Sequence, residues 1–250
     1  MEQVFHNDND VVIKIPDHKF SQTFKDRWQN EKIFRQIHSD LINKGHIKGN
    51  IVDSGSWLGD NAIPWAKLLP DSTVYAIDPS RENLDFTTLV AKENNLDNVH
   101  CIEAILSDNV GKVYTSYDIN HIEVHKVKLK HMIHEHTTTT LDLLKLKDIG
   151  YIHLDVEGFE LNVVIGADKL IREQQPIMTL EQHLDKDPWE HLVNHLDNRG
   201  YDVYRIDEVL IGNNLDCRNF LDIPKGKIDI KTLQYHRYLT RLNDLARSKK

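Results

Sequence analysis

From residue 50 onward, short continuously apolar stretches alternate with longer ones in which apolar residues recur at helical spacing. The runs 50–53, 73–78, 99–103, 151–155, 177–181 and 201–206 predict strands. Helices are expected over about 61–69, 82–94, 159–173 and 189–199. Strands that lack in–out alternation are those covered on both faces, as in parallel sheets. Regular strand–helix alternation with right-handed crossovers predicts an α/β fold, an open, mainly parallel sheet flanked by helices.

The pattern breaks between residues 112 and 141, where 112–117, 123–130 and 137–141 read as extended. An inserted hairpin or a set of edge strands is expected there. Ahead of the sheet, Phe24, Trp28, Phe34, Ile37 and Leu41 recur at roughly helical spacing, so residues 1–47 read as a helical extension. Residues 48–228 then form the main domain. Residues 229–250 read as a C-terminal helix, ending in a basic tail.

Composition narrows the functional classes. With 40% apolar residues in 250, the chain can bury one sizeable core. The formal charge of −8 works against general attraction to phosphate backbones, so nucleic acid is not the expected partner. The two cysteines, Cys101 and Cys217, make no CxxC pair and no disulfide framework. The N-terminus has no apolar signal core, and no apolar run approaches the ~18 residues of a membrane span. A cytoplasmic protein that does not enter membranes is expected.

The most informative segment is Ile51-Val-Asp-Ser-Gly-Ser-Trp-Leu-Gly-Asp60. A strand ending at Asp53 runs into a turn at Gly55, where a missing Cβ permits close backbone approach to a ligand. Gly59 follows near the start of a helix, where backbone N–H groups favour negative groups. The D-x-G-x-x-x-G spacing is not the G-x-G-x-x-G of a pyrophosphate site. The loop, with Ser56 and Asp60, suits a ligand that lacks phosphate, and Asp53 can meet an ammonium group or hold the loop.

Asp78 ends the second strand, where an acidic side chain can accept hydrogen bonds from both hydroxyls of a ribose. Pro79 and Ser80 follow where an adenine can lie, and Glu103 and Ala104 end the third strand on its far side. All these ends fall at the carboxyl edge of the sheet, where open α/β folds place ligands. The plainer alternative is that the glycines only make turns and Asp78 only caps a helix.

These residues resemble the FkbM-type family of class I S-adenosylmethionine (SAM)-dependent methyltransferases, which have a Rossmann-like fold. The resemblance runs from about Asn50 to Gln182. Besides the glycine loop and Ala76-Ile-Asp78-Pro, it includes Glu103-Ala104-Ile-Leu-Ser-Asp108 and Thr139-Thr-Leu-Asp142. Its most distinctive element is His153-Leu-Asp-Val-Glu-Gly-Phe-Glu160, and Thr179-Leu-Glu181 completes it. The resemblance implies SAM binding through Asp53, Gly55, Gly59, Asp78 and the Ala104 region. It also implies O-methylation, often of a sugar or natural-product hydroxyl.

Methyl transfer to an alcohol gains from alignment and from a general base. Asp155, at the end of the fourth strand, and Glu181 with His183, at the end of the fifth, border the expected transfer position. His183, with a free pKa near neutrality, is the first candidate base. Glu157 and Glu160 either touch substrate or simply place negative charge at a helix start. Asp155, Glu157 and Glu181 are also a candidate oxygen set for Mg²⁺. The His- and Lys-rich stretch 121–136 lacks the cysteines and the i, i+4 histidine pair of zinc sites. Its alternating Lys126, Lys128 and Lys130 suit an exposed edge strand or an anion contact. The expected activity is methylation of a small-molecule or glycan hydroxyl. The competing expectations are a nucleic-acid or protein methyltransferase on the same scaffold, and an inactive SAM-binding partner subunit.

Overall fold

The computed structural model describes residues 3–6, 11–27, 31–117, 122–126, 134–184, 189–208 and 217–248. The chain opens with an antiparallel pair, β1 (Gln3–His6) and β2 (Val12–Ile15), then helices α1 (Ser21–Arg27) and α2 (Lys32–Asn43). Three parallel strands follow with their helices: β3 (Asn50–Ser54), α3 (Ala62–Leu68), β4 (Val74–Asp78), α4 (Arg81–Glu93) and β5 (Val99–Glu103). The insertion contains β6 (Ile105–Leu106), β7 (Lys112–Tyr117), β8 (Ile122–His125) and β9 (His134–Thr139). The chain returns through β10 (Ile149–Leu154), α5 (Glu160–Gly166), α6 (Asp168–Gln174), β11 (Ile177–His183), α7 (Trp189–Asp197) and β12 (Tyr201–Ile206). It ends in β13 (Cys217–Pro224), β14 (Leu239–Arg241) and α8 (Asn243–Ser248).

The main sheet has eight strands in the order β14-β12-β13-β11-β10-β3-β4-β5. The five from β11 to β5 are parallel, and β13 runs antiparallel between β11 and β12. This is the expected α/β fold, a large, mostly parallel sheet flanked by helices. Successive strand residues point to opposite faces, and the core divides accordingly. Val52, Ile152, Leu154, Met178 and Leu180 pack with residues of α5, α6 and α7. Ile51, Tyr151, Ile177 and Ala76 pack with residues of α2 and α3. All six residues of β10 are buried, which explains its uninterrupted apolar reading. The insertion is a second, four-stranded sheet, β6-β9-β7-β8, so it holds more than one hairpin.

Three segments differ from the sequence expectation. The N-terminal extension is not wholly helical. In β2, Ile13 and Ile15 are buried while Val12 and Lys14 are only partly covered, an alternation of period 2. Asn94 mimics a backbone partner for this strand: its Oδ1 accepts from Lys14 N at 2.8 Å and its Nδ2 donates to Lys14 O at 2.8 Å. The C-terminus is not one helix but two 3₁₀ turns, the strand β14 and the short α8. Asn243 ties it down, accepting from Val203 N at 2.8 Å and donating to Tyr201 O at 2.9 Å. The helix expected over 159–173 is divided between α5 and α6, with Ala167 as the junction. Gly166 marks this junction, because a Cβ there would stand 2.0 Å from Ser107 O.

Candidate functional site

The loop after β3 and the end of β4 form one bonded unit. Gly55 N and Ser56 N both donate to Ile77 O, at 2.9 and 3.1 Å, and Trp57 N donates to Asp78 Oδ2 at 2.9 Å. Asp78 Oδ1 accepts from Ser80 N at 2.8 Å and from Asn83 Nδ2 at 3.2 Å. Burial pushes the Asp78 carboxyl up to about 6, against the pull of these three donors. An ionised carboxylate offers roughly four acceptor sites. Asp78 therefore keeps capacity for about one outside donor, less than two ribose hydroxyls require.

Gly55 is required, at φ +74, but by the protein itself rather than by a ligand. A Cβ there would stand 1.6 Å from Asp155 O. The same close approach lets Asp155 N donate to Ser54 O at 2.9 Å, tying the tips of β3 and β10 together. Gly59, at φ +78, faces the side chain of Thr87 on α4.

Asp53 is fully buried, and neither of its carboxylate oxygens completes a hydrogen bond among the described residues. Burial, with the charges of Asp60 and Asp155, raises its pKa well above the carboxylate range, although the Ala62 amide favours ionisation. The buried Ser56 Oγ likewise has no partner among the described residues. A buried polar group left this way carries a desolvation penalty of about 1–3 kcal/mol. Both groups belong to the glycine-loop segment.

On the neighbouring strand, Asp155 follows β10 and hydrogen-bonds Glu181 on β11. Burial raises Asp155 to about 6, while Glu181 and Arg27 pull it down. Arg27, at the end of α1, was not anticipated. Its Nη2 lies 3.1 Å from Glu31 and 3.6 Å from Asp155, and its Nε lies 3.8 Å from Asp60. Glu31 chiefly, with Asp60 and Asp155, raises the Arg27 pKa against the effect of burial. Asp60 is also held by Arg35 Nη2 at 2.9 Å, and Glu31 by Asn219 Nδ2 at 2.8 Å. Burial opposes ionisation of Glu31, but Arg27 and Arg35 outweigh it and keep its carboxyl below the ordinary range. The guanidinium of Arg27 already supplies the positive charge beside Asp155, so this set does not fit the Mg²⁺ cage considered from sequence. Among the described residues, no group of three or more His, Cys, Asp or Glu is placed to hold a metal.

The remaining candidates take distinct places. His183 Nε2 faces Glu157 Oε2 at 3.5 Å, and Glu157 sits at φ 52 just after β10. Glu160 is buried and closes its own loop, accepting from Val156 N at 3.0 Å and from Gln182 Nε2 at 3.3 Å. Ser80 caps α4 through Asn83 N, and Pro79 links that cap to Asp78. Glu103 pairs in register with Asp78 but is mostly exposed, with Arg81 Nη1 3.9 Å away. Ala104 N donates to Asp78 O at 3.3 Å. Lys126 is engaged by Asp108 at 2.9 Å, whereas Lys128 and Lys130 lie outside the described residues. Arg27 and Glu31 were not singled out because an i, i+4 Arg–Glu pair reads as a solvated helix face. Only the fold brings the pair to Asp60 and Asp155.

The chain is similar to known proteins in sequence family and in fold. The family described as Methyltransferase FkbM domain matches residues 53–203, from Asp53 to the middle of β12. The solved structure of Methyltransferase FkbM from Methylobacillus flagellatus KT superposes with a TM-score of 0.51 at 16% identity. That match covers 69% of this chain and 43% of the other, so the chain spans less than half of that protein. An rRNA methylase from Streptococcus thermophilus superposes with a TM-score of 0.48 at 13% identity, covering 75% of this chain and 93% of that one. No curated protein matches the chain. Among the described residues, no helix is long and apolar enough to cross a membrane. With more than half of its length matched from the first sheet carboxylate onward, the chain belongs to the FkbM family of methyltransferases.

Proposed function

We propose that the protein methylates a hydroxyl of a sugar or other small molecule, with SAM as donor and the carboxyl edge of the sheet as the site. The observation that carries this reading is Asp53, a fully buried carboxyl whose oxygens complete no hydrogen bond among the described residues, beside Ser56 in the glycine loop. Such a carboxyl suits an arriving cation, since a paired charge removes most of the burial penalty. The amino acid part of SAM carries an ammonium of that kind. Asp78, one strand over, has room to accept one ribose hydroxyl, with Pro79, Ser80, Glu103 and Ala104 around it.

When bound, SAM supplies a methyl group already activated on a sulfonium. The remaining work falls to the protein. Asp155 takes the proton of the acceptor hydroxyl as its oxygen gains the methyl group, and the pair with Glu181 orients it. A carboxyl raised to about 6 is better matched to neutral operation than an ordinary one. His183, facing Glu157, lines the acceptor side. The acidic edge formed by Asp155, Glu157 and Glu181 favours neutral acceptors over nucleic-acid phosphates. The acidic charge, the absence of a cysteine framework and the absence of a membrane-length helix among the described residues support action in the cytoplasm.

The test is to incubate the protein with methyl-labelled SAM and a panel of sugars and glycosides, alongside RNA and protein substrates. Label on a sugar hydroxyl is expected. Label only on RNA or protein, or none on any acceptor despite SAM binding, would overturn the O-methylation reading.

A further inference from the structure

We propose that Arg27 is a positioning residue for methyl transfer: its guanidinium orients the Asp155 carboxylate and keeps it ionised for the acceptor's proton. The inference rests on the assignment of Asp155 made above. It concerns a part of the chain that the family match, beginning at residue 53, does not include.

Arg27 is held in place from two sides of the sheet edge. On one side, α1 is packed against α4, with the rings of Phe24 and Phe86 5.8 Å apart and edge-on, and Lys19 paired with Glu82. On the other, Glu31 accepts from Asn219 on β13, and Glu208, just after β12, accepts from Ile33 N at 2.8 Å and Phe34 N at 3.0 Å. The extension therefore crosses from the α4 side of the site to the β12–β13 side. Arg27 stands in this crossing as the cation facing Glu31, Asp60 and Asp155. A planar fork of five donors is suited to holding several carboxylates in fixed relative orientation.

The same geometry sets a competition. Glu31 is the nearer partner, at 3.1 Å against 3.6 Å for Asp155, and its own charge also disfavours ionisation of Asp155. Around Asp155 stand Arg27 from α1, Glu31 ahead of α2, Glu157 from the following loop and Glu181 from β11. Asp53 on β3 and Asp78 on β4 sense its charge, and Asp60 shares its arginine. Arg27 is the cation in contact with Asp155, so removing Arg27 and removing Glu31 must move Asp155 in opposite directions. A residue that only holds the fold together has no reason to produce that pair of signs.

The titration of Asp155 can be followed by carbon-13 NMR on protein labelled at the aspartate side-chain carboxyls. Its resonance is assigned by loss in Asp155→Asn. Arg27→Gln should raise the midpoint by about one pH unit, Glu31→Gln should lower it, and Arg27→Lys should restore most of the original value. The acid limb of the transfer rate, with the acceptor found in the panel, should move in the same order. A midpoint unmoved by Arg27→Gln overturns the proposal. If that variant does not fold, an unchanged or raised midpoint in Glu31→Gln overturns it. Full transfer activity in Asp155→Asn defeats instead the assignment of Asp155 as base, even with the expected titration shifts.

Discussion

The backbone N–H of Trp57 donates to Asp78 Oδ2 at 2.9 Å, so the loop after the first sheet strand is fastened to the carboxylate that ends the second. Trp57 sits at φ 45, unusual for a bulky residue and retained only where surroundings over-determine it. Asp78 is part of those surroundings. One side chain fixes the loop and, on the proposed reading, also meets the ligand, which makes the loop's shape sensitive to Asp78.

Replacing Asp78 should therefore act twice. In Asp78→Ala the Trp57 and Ser80 amides and the Asn83 side chain lose their acceptor, and on the proposed reading the ribose loses its own. SAM affinity should fall by about 10- to 100-fold, the size of one lost charged hydrogen bond. Titration calorimetry measures it, and affinity within twofold of wild type would remove Asp78 from the site.

Gly55→Ala should destabilise the fold rather than merely perturb binding. The new Cβ meets Asp155 O at 1.6 Å, and the backbone is at φ +74. Strain at positive φ together with overpacking predicts a loss of about 3 kcal/mol or more. Urea unfolding of the variant checks this, and a loss below about 1 kcal/mol would mean that the tips of β3 and β10 can separate at low cost.

His153 gives the protein an acid sensitivity of known sign. Burial lowers its pKa to about 4 from 6.5, with Glu31 pulling the other way. Below 6.5 the unfolded chain takes up this proton first, so stability falls as the pH drops from 6.5 toward 4, by about 3 kcal/mol in full. Asp78 and Asp155 act oppositely. Their folded carboxyls, near 6, hold protons that unfolded carboxyls at 3.8 release, so acidification from 6 toward 3.8 favours the folded state. His153→Phe removes the first effect and leaves the second, while the Thr179 hydroxyl keeps its Tyr151 partner. Between pH 6.5 and 4.5 the variant should lose less stability than wild type, as read from denaturant midpoints. Parallel losses would show that His153 does not govern the acid limb.

Asp197 joins the C-terminus to the rest of the fold. It accepts from Lys225 at 2.8 Å, from Asn243 at 3.0 Å and from two nitrogens of Arg247 at 2.7 to 2.9 Å. Both cations are substantially exposed, so each pair is worth well under 1 kcal/mol. Asp197→Ala should cost about 1 kcal/mol and should expose α8 first, which hydrogen exchange at residues 243–248 resolves. Unchanged protection there would place the anchor elsewhere.

What could be read beforehand follows from what each element packs against. The strands β3, β4, β10 and the first half of β11 are buried on both faces and so read as short apolar runs, whereas β5 and β12 carry polar residues and are only partly buried, and are legible mainly from their place in the strand–helix alternation. β13 escaped notice because Arg218, Asn219, Asp222 and Pro224 interrupt it, although Asn219 and Asp222 are buried in the fold. Its place is set by the antiparallel ladders on either side, information that no local window contains. Asp53 and Asp78 could be picked out because they end strands next to a glycine loop. The meeting of Arg27, Glu31, Asp60 and Asp155 could not, since it joins residues more than a hundred positions apart.

The antiparallel position of β13 also orders events in assembly. Residues 217–224 form the edge that β11 needs on one side and the ladder that β12 needs on the other. While a ribosome is still making them, the nascent chain carries an unsatisfied strand margin next to its hydrophobic centre. A fragment cut to the family-matched residues 53–203 would keep that margin open permanently. Aggregation is the expected fate of such a fragment, which makes the last thirty or so residues part of the folding unit rather than a tail.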